Sequence, residues 1–283
     1  MATRNSAAAC LLWLAGLAMA VPAMAQQQEE RHVTRATMRG AGGVNLLETY
    51  LSPEKYTGTE IRFMQHITRE RPSRQRWTRQ VVHEAHVSSS KNRADNANFL
   101  TAFYHFEYDW HRRLVSAPIG KGEFRLKAGP GVDALAGVVY STRNGNNPAQ
   151  AHFGLSGAAS VVADYALPKV EKKWGWAVPA NIRYEVQAPL LGVQFSPNFG
   201  QSYYEIFTQG DYDHNLVVAT PFNAPSLRQM LTLDFRLSPN TALRVGYRGD
   251  YQQSKFHDLK FHEWSHLFVF GFVKSFSVTK LPL

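Results

Sequence analysis

The last third of the chain alternates apolar and polar residues with a period of two. Between Leu227 and Leu237 most odd-numbered positions are apolar, whereas the even-numbered positions include Arg228, Asp234 and Arg236. Because successive side chains of a β-strand point to opposite faces of its sheet, such a strand has one apolar and one charged face. Strands of this kind occur in soluble β-sandwiches with one wet face and in transmembrane β-barrels with a polar interior.

The first 25 residues have the organisation of a secretory signal peptide. Arg4 is the basic element, residues 7–20 form a compact apolar run, and an Ala-x-Ala site precedes Gln26. We therefore expect export, cleavage after residue 25 and a periplasmic N-terminal segment at 26–43. The single cysteine, Cys10, lies inside the signal peptide, so the exported chain has no disulfide and no thiolate metal site.

The composition of the exported chain favours a barrel among membrane folds. It contains no run of about 18 apolar residues, which excludes a membrane-spanning helix. The mean hydropathy of -0.31 is typical of a soluble chain, but barrel strands are half polar and escape hydropathy scans. Aromatic residues make up 12% of the chain, which suits the aromatic girdles of a barrel.

The charge of the chain bears on its partners. There are 31 Lys and Arg residues against 22 Asp and Glu residues, a formal net charge of +9. Because the basic residues are scattered evenly over an exported chain, we expect no nucleic-acid partner. The charge instead favours contact with anionic outer-membrane lipid.

Clusters of Gly, Pro and Asn mark hairpin turns between alternating segments along the rest of the chain. They delimit about twelve strands, near 44–51, 58–68, 76–90, 97–113, 122–141, 152–167, 176–188, 190–196, 201–209, 226–237, 242–254 and 261–274. The sequence therefore predicts an all-β fold, an up-and-down antiparallel transmembrane barrel over residues 44–276 with a C-terminal tail at 277–283. A soluble periplasmic β-sandwich with a binding role is an alternative, because its strands also have one polar face.

Loop lengths support the barrel and an outer-membrane location. Outer-membrane barrels have short periplasmic turns and longer outer loops. With both termini periplasmic, the longest connection, 210–225, falls on the outer side together with 142–151 and 255–260. The turns expected on the periplasmic side are 69–75, 114–121, 168–175, 197–200 and 238–241.

Three segments are similar to one protein family: residues 45–53 (NLLETYLSP), 192–207 (GVQFSPNFGQSYYEIF) and 225–229 (PSLRQ). They resemble an uncharacterised family of Bacteroidota envelope proteins, a domain of unknown function whose members look like outer-membrane barrels. The resemblance covers nearly all of the exported chain. The resemblance implies an outer-membrane location and a barrel fold. It implies no activity and identifies no functional residue.

The C-terminal strand gives a further indication of the partners. Residues 267–273 (LFVFGFV) are similar to the aromatic-rich last strand by which outer-membrane barrels are recognised for insertion. The sequence therefore indicates the barrel-insertion machinery as a partner, although the tail at 277–283 departs from the usual pattern. Other protein partners are not indicated.

His86-Val87-Ser88 is similar to the His-x-Ser of the outer-membrane phospholipase family, where the pair serves as base and nucleophile. The phospholipase pair reaches lipid, whereas His86 and Ser88 share the polar face of their strand with Glu84. The Asn-Gly expected after the serine is also replaced by two further serines. We therefore predict a non-enzymatic barrel without catalytic residues, and a lipid-acting hydrolase using His86 and Ser88 is the alternative.

The polar faces of the strands predict a charged barrel interior. Charges of both signs can pair across it and fill it, or its arginines can line a narrow pore or solute site. No two histidines have metal-ligand spacing within one strand, so we expect neither a metal nor a cofactor. The candidate interior or solute-contacting residues are Glu84, His105, Glu107, Arg183, Glu185, Arg228, Asp234, Arg236, Arg244 and Arg248.

Overall fold

The computed structural model describes residues 30–71, 76–145, 147–168, 178–212 and 214–279. These residues form eleven antiparallel strands and one short helix, α1 (Tyr203–Phe207). The strands are β1 (Glu30–Glu48), β2 (Ser52–Glu70), β3 (Trp77–Asn92), β4 (Asn98–Ile119), β5 (Gly122–Ser141), β6 (Ala149–Ala166), β7 (Val178–Phe195), β8 (Leu216–Ala219), β9 (Ser226–Ser238), β10 (Thr241–Phe256) and β11 (Leu259–Thr279).

The strands form one closed ring. Consecutive strands pair from β1 to β7, β7 pairs with β9, and β9, β10 and β11 follow in order. The ring closes between β1 and β11, whose register runs from Glu30 opposite Thr279 to Glu48 opposite Phe261. The short β8 pairs with the end of β7 beyond the last pairing of β7 with β9, so β8 and β9 share one place in the wall. The predicted antiparallel barrel is confirmed, with eleven strands in place of about twelve.

The strand count differs because two predicted strands are one, a third is replaced by α1, and β8 was not predicted. Residues 178–188 and 190–195 of these two predicted strands belong to a single strand, β7, although Pro189 interrupts the pattern. The register with β6 shifts between Gly157 and Ala158, opposite Pro189. A bulge at this position accommodates a residue that has no backbone N–H, so the strand continues past the proline.

The predicted strand at 201–209 is also wrong, because α1 occupies its centre. The Ser202 side chain accepts the Glu205 backbone N–H, and the Glu205 carboxylate accepts the Ser202 backbone N–H. This reciprocal capping box satisfies backbone donors that a helix start otherwise leaves free. These local hydrogen bonds outweigh the aromatic residues that suggested a strand.

Both ends of the barrel extend further than the sequence predicted. Residues 30–43, expected in a periplasmic segment, belong to β1, and residues 277–279 of the expected tail belong to β11. These two stretches pair with each other or with the neighbouring strands, which gives residues 30–43 a place in the wall despite their weak alternation. The expected signal peptide at 1–25, residues 26–29 and residues 280–283 lie outside the described part of the chain.

One connection is much longer than the others and distinguishes the two ends of the barrel. The long segment 196–225, which contains α1 and β8, lies at the same end as the turns at 49–51, 93–97, 142–148 and 257–258. The two-residue turns 120–121 and 239–240 lie at the opposite end, together with the start of β1 and the finish of β11. The end with the long segment is therefore the outer end. The turn at 197–200, predicted on the periplasmic side, lies at the outer end because β7 is one strand.

The outer surface of the wall is apolar. Large side chains such as Ile61, Phe63, Val87, Leu155 and Phe270 point outward and are about half exposed. A closed ring satisfies every backbone group within the wall, which is the condition for strands in a lipid bilayer. The chain is thus an outer-membrane β-barrel. Among the described residues, no α-helix is long and apolar enough to cross a membrane.

Candidate functional site in the barrel interior

The structure places nine of the ten candidate interior residues in buried positions on the inner face of the wall. Arg236 is the exception, since it is exposed at the periplasmic rim close to the turn between β9 and β10. The buried nine are Glu84, His105, Glu107, Arg183, Glu185, Arg228, Asp234, Arg244 and Arg248.

Arg62 is the centre of the ion pairs at mid-height, and its side chain is completely buried. Its Nη1 donates to Asp250 of β10 at 2.5 Å and to Glu84 of β3 at 3.1 Å. Its Nε donates to Glu60 at 2.7 Å. Arg248 of β10 donates to the same Glu84 oxygen at 2.9 Å. Charges from β2, β3 and β10 therefore meet in the middle of the barrel.

A second set of ion pairs crosses the interior around Arg228 of β9. Its Nη1 donates to Glu107 of β4 at 3.1 Å and to Gln187 of β7 at 3.0 Å. The same guanidinium is bonded to Asp133 of β5. Because the three partners come from three different strands, Arg228 ties β9 to the opposite part of the wall.

A third set lies closer to the periplasm. Arg183 donates to Asp164 at 2.9 Å and to Gln80 of β3 at 2.8 Å, and it also pairs with Glu185 on its own strand. His66 lies 3.4 Å from both Glu84 and Glu185, so it joins this set to that of Arg62. Side chains thus fill the middle of the barrel.

The outer part of the interior is apolar and covered. Tyr56 and Phe99 stack with their ring centroids 3.8 Å apart, within a buried cluster that includes Phe103. Above it, the Tyr203 hydroxyl of α1 accepts the Ala151 backbone N–H at 2.6 Å. The α1 part of segment 196–225 therefore lies across the outer mouth and is held to the rim, whereas β8 in the same segment pairs with β7 in the wall. We call this segment the outer cover.

The periplasmic part of the interior is open. A cavity of about 390 Å³, here called the vestibule, lies between the mid-height ion pairs and the turn at 239–240. Three of its cations each contact a carboxylate: Lys127 with Glu70 at 2.5 Å, Arg183 with Asp164, and Arg244 with Asp234 at 2.6 Å. Its charged surface is therefore largely paired.

The structure does not join His86 and Ser88 into a base and nucleophile. The Ser88 hydroxyl is hydrogen bonded to Thr101 at 2.6 Å, and His86 Nε2 is bonded to Glu263 at 3.0 Å. Both residues are buried on the inner face, away from the lipid-facing surface. This arrangement lacks the hydrogen bond that activates a serine nucleophile.

Sequence reasoning did not identify several interior groups that the structure brings together. Glu263 lies near the start of β11, before the stretch 267–273 that is apolar on both faces and drew attention to this strand. A local pattern could have identified it: Glu263 and Ser265 are two residues apart, so both lie on the inner face of the strand. Asp133 was missed because Gly and Ala surround it on β5 and the alternation there is weak.

Comparisons with solved structures concern barrels of very different sequence. The chain is similar to the outer membrane protease OmpT from Escherichia coli, with 7% identity and a TM-score of 0.45 over 89% of this chain and 98% of that one. It is similar to the transport unit of the autotransporter AIDA-I from Escherichia coli, with 7% identity and a TM-score of 0.40 over 98% of each chain. Neisserial surface protein A gives 11% identity and a TM-score of 0.31 over 88% of this chain and 98% of that one. These values concern the barrel fold and give no information about activity.

The family comparison covers almost the whole chain. No curated protein sequence matches it. The family model described as "Protein of unknown function (DUF3316)" matches residues 8–281, which include every strand of the ring. The chain therefore belongs to the DUF3316 family of proteins of unknown function.

Proposed function

We propose that this outer-membrane barrel is a sealed, non-enzymatic component of the envelope rather than a pore. The observation that carries the proposal is the convergence of Glu84, Arg62 and Asp250 from three strands at mid-height. A guanidinium that bridges separate strands of the wall through the interior occupies space through which a solute would pass. The apolar cluster of Tyr56 and Phe99 and the outer cover add two further barriers.

The vestibule fits the same function. Most of its cations are paired with carboxylates rather than arranged as one ladder of charge, as a selective pore requires. Hydrolysis of lipid by His86 and Ser88 is not part of the proposal, because the two side chains have other partners and face the interior.

Planar-bilayer conductance tests this function. The wild-type barrel, with its fold verified by heat-modifiable migration on gels, is expected to give no conductance steps. The variant Arg62→Ala/Arg228→Ala should conduct more than the wild type, because water replaces the ion pairs that cross the interior. The matched variant Arg39→Ala/Arg79→Ala alters two exposed arginines of the outer face and should remain silent. Regular conductance steps from the wild-type barrel would instead identify a narrow pore.

Lipid contact is part of the proposal. On the outer face near the periplasmic end, a cavity of about 190 Å³ is lined by Arg69, Arg79, Trp77 and Trp110. Arginine recognises phosphate, and tryptophan favours the membrane interface, so anionic phospholipid headgroups of the periplasmic leaflet suit this surface. We expect the purified wild-type barrel to carry more phosphatidylglycerol than phosphatidylcholine. This enrichment should be smaller in the variant Arg69→Gln/Arg79→Gln. Equal lipid content in both proteins would contradict it.

Two further parts of the proposal concern biogenesis and source. Phe268, Phe270 and Phe272 alternate on the outer face of β11, which suits recognition of the last strand by the barrel-insertion machinery. Replacing the three by Ala should reduce the amount of folded barrel in the outer membrane.

A Bacteroidota source rests on the similarity of residues 45–53, 192–207 and 225–229 to envelope proteins of that group.

A further inference from the structure

Three side chains with metal-binding atoms converge inside the outer half of the barrel. They are Glu60 of β2, His86 of β3 and Glu263 of β11, and one donor atom of each lies within 4.8 Å of the other two. All three residues are buried. Glycine permits the convergence, because Gly42 of β1 is paired with Glu60 and has no side chain to separate β2 from β11. Glu60 accordingly reaches across β1 and is hydrogen bonded to Ser265 of β11.

The distances are close to those of a coordination shell. His86 Nε2 and Glu263 Oε2 are 3.0 Å apart. Donors about 2.1 Å from a tetrahedral ion lie roughly 3.4 Å from one another, so small side-chain rotations bring all three atoms onto one ion. Thr101 donates to the other Glu263 oxygen at 3.4 Å. Hydrogen bonds to both carboxylates, from Ser265 and Thr101, provide the outer support that metal ligands normally have.

The charges around these residues favour a cation. The connected side chains at this height include four carboxylates, Glu60, Glu84, Asp250 and Glu263. The basic groups that contact them are two guanidinium groups, Arg62 and Arg248, and the imidazole of His66, which lies against Glu84. Arg228 lies 3.7 Å from Asp250 but also faces Glu107 and Asp133, so it does not offset the surplus. An uncompensated buried charge is strongly unfavourable. A divalent cation between Glu60 and Glu263 supplies positive charge where the carboxylates outnumber the guanidinium groups.

We infer that Glu60, His86 and Glu263 bind a divalent transition-metal ion. One imidazole and two carboxylates are a ligand set that suits Zn²⁺, with water as the fourth ligand. The ion links β2, β3 and β11 on both sides of β1, which is the seam where the first and last strands close the ring. The metal has a structural role at this seam, and the inference does not depend on whether the barrel conducts.

Zn²⁺ binding to the folded barrel in detergent tests this inference. After loading with Zn²⁺ and removal of free metal, elemental analysis is expected to give about one Zn²⁺ per wild-type barrel. His86→Gln and Glu263→Gln should each weaken Zn²⁺ binding by about 10–100-fold or more, which is the range already seen for outer-shell changes. His83→Gln is the matched control, because His83 lies three residues away on the outer face and contacts Tyr104. Its Zn²⁺ content should equal that of the wild type.

A second measurement uses the wild-type barrel alone, so that the inference can be tested even if the variants do not fold. Co²⁺ added to the wild-type barrel should produce visible d–d absorption bands, and one equivalent of Zn²⁺ should abolish them. A folded wild-type barrel without Co²⁺ bands and without bound Zn²⁺ would overturn the inference. Zn²⁺ affinity equal to the wild type in folded His86→Gln and Glu263→Gln would also overturn it. Either result would exclude the metal site without changing whether the barrel conducts. Failure of the metal inference is therefore distinguishable from failure of the proposed function.

Discussion

Arg62 and Asp250 are 188 positions apart in the chain, yet their side chains meet in the barrel interior with Nη1 and Oδ2 2.5 Å apart. They come from β2 and β10, which are separated in the ring by β1 and β11. Both residues are buried. The pair thus links two parts of the wall that no backbone hydrogen bond joins.

The first prediction concerns the stability that this link provides. Arg62→Ala leaves Glu60, Glu84 and Asp250 without their shared cation, and removing one partner of a buried pair costs about 3–5 kcal/mol. We expect a loss of this size in denaturant unfolding of the barrel in lipid vesicles. Arg39→Ala is the control: Arg39 is exposed over the Phe63 ring, and its loss should cost about 0.5–1 kcal/mol. Equal losses in the two variants would show that Arg62 has no special role.

The second prediction concerns the space around Phe103. A side chain at Gly137 of β5 would overlap the Phe103 ring, which packs on His86 and Phe261. Gly137→Ala should therefore cost about 1–3 kcal/mol in unfolding free energy, as overpacking of a core does. At Gly145 nothing lies within 4 Å of an added Cβ, so Gly145→Ala should leave stability nearly unchanged. A Gly137→Ala barrel as stable as the wild type would contradict the tight packing at this position.

The third prediction concerns the outer cover and its pH dependence. Hydrogen bonds from the Ser202 backbone and side chain lower the pKa of Glu205 below its usual range. A carboxyl with a lowered pKa contributes stability above its unfolded-state pKa and loses that contribution as the pH falls through the folded-state pKa. The α1 segment should therefore resist pepsin at pH 4.5 and become sensitive at lower pH.

Two variants provide the controls for this pH dependence. Glu205→Gln should abolish the extra acid sensitivity of the segment, since no charge remains to be neutralised. Ser202→Ala should increase cleavage at all pH values, because loss of an N-cap costs about 1 kcal/mol. Identical digestion of wild type and both variants would mean that the capping box does not hold the outer cover.

The fourth prediction concerns the His86-Val87-Ser88 motif. Ser88 is hydrogen bonded to Thr101 rather than to His86, so Ser88→Ala should not change the hydrolysis of phospholipid vesicles by the purified barrel. Phospholipase assays on matched wild-type and Ser88→Ala preparations provide the measurement. Activity that is present in the wild type and lost in Ser88→Ala would restore the hydrolase alternative.

The sequence was most informative where one face of a strand meets lipid. With a period of two, a strand must place Leu227 and Leu231 on one side and Arg228 and Asp234 on the other, whichever strands stand beside it. The same property allowed the interior candidates to be chosen without knowledge of their neighbours. It was less informative for β1, whose Gly and Ala residues give weak alternation, and for α1, where a local capping box replaces a strand.

The amino-acid sequence alone therefore determined the fold class, the membrane address and the polarity of the interior, because these follow from local periodicity. The tertiary structure decided which charges meet, because closure of the ring and the register of each strand bring distant residues to the same height. Arg62 opposite Asp250, and Glu60 with His86 and Glu263 around Gly42, are results of that closure. Within each strand these residues are only alternate polar positions. Their ion pairs and their capacity to bind a metal arise because separate strands place them in the same interior.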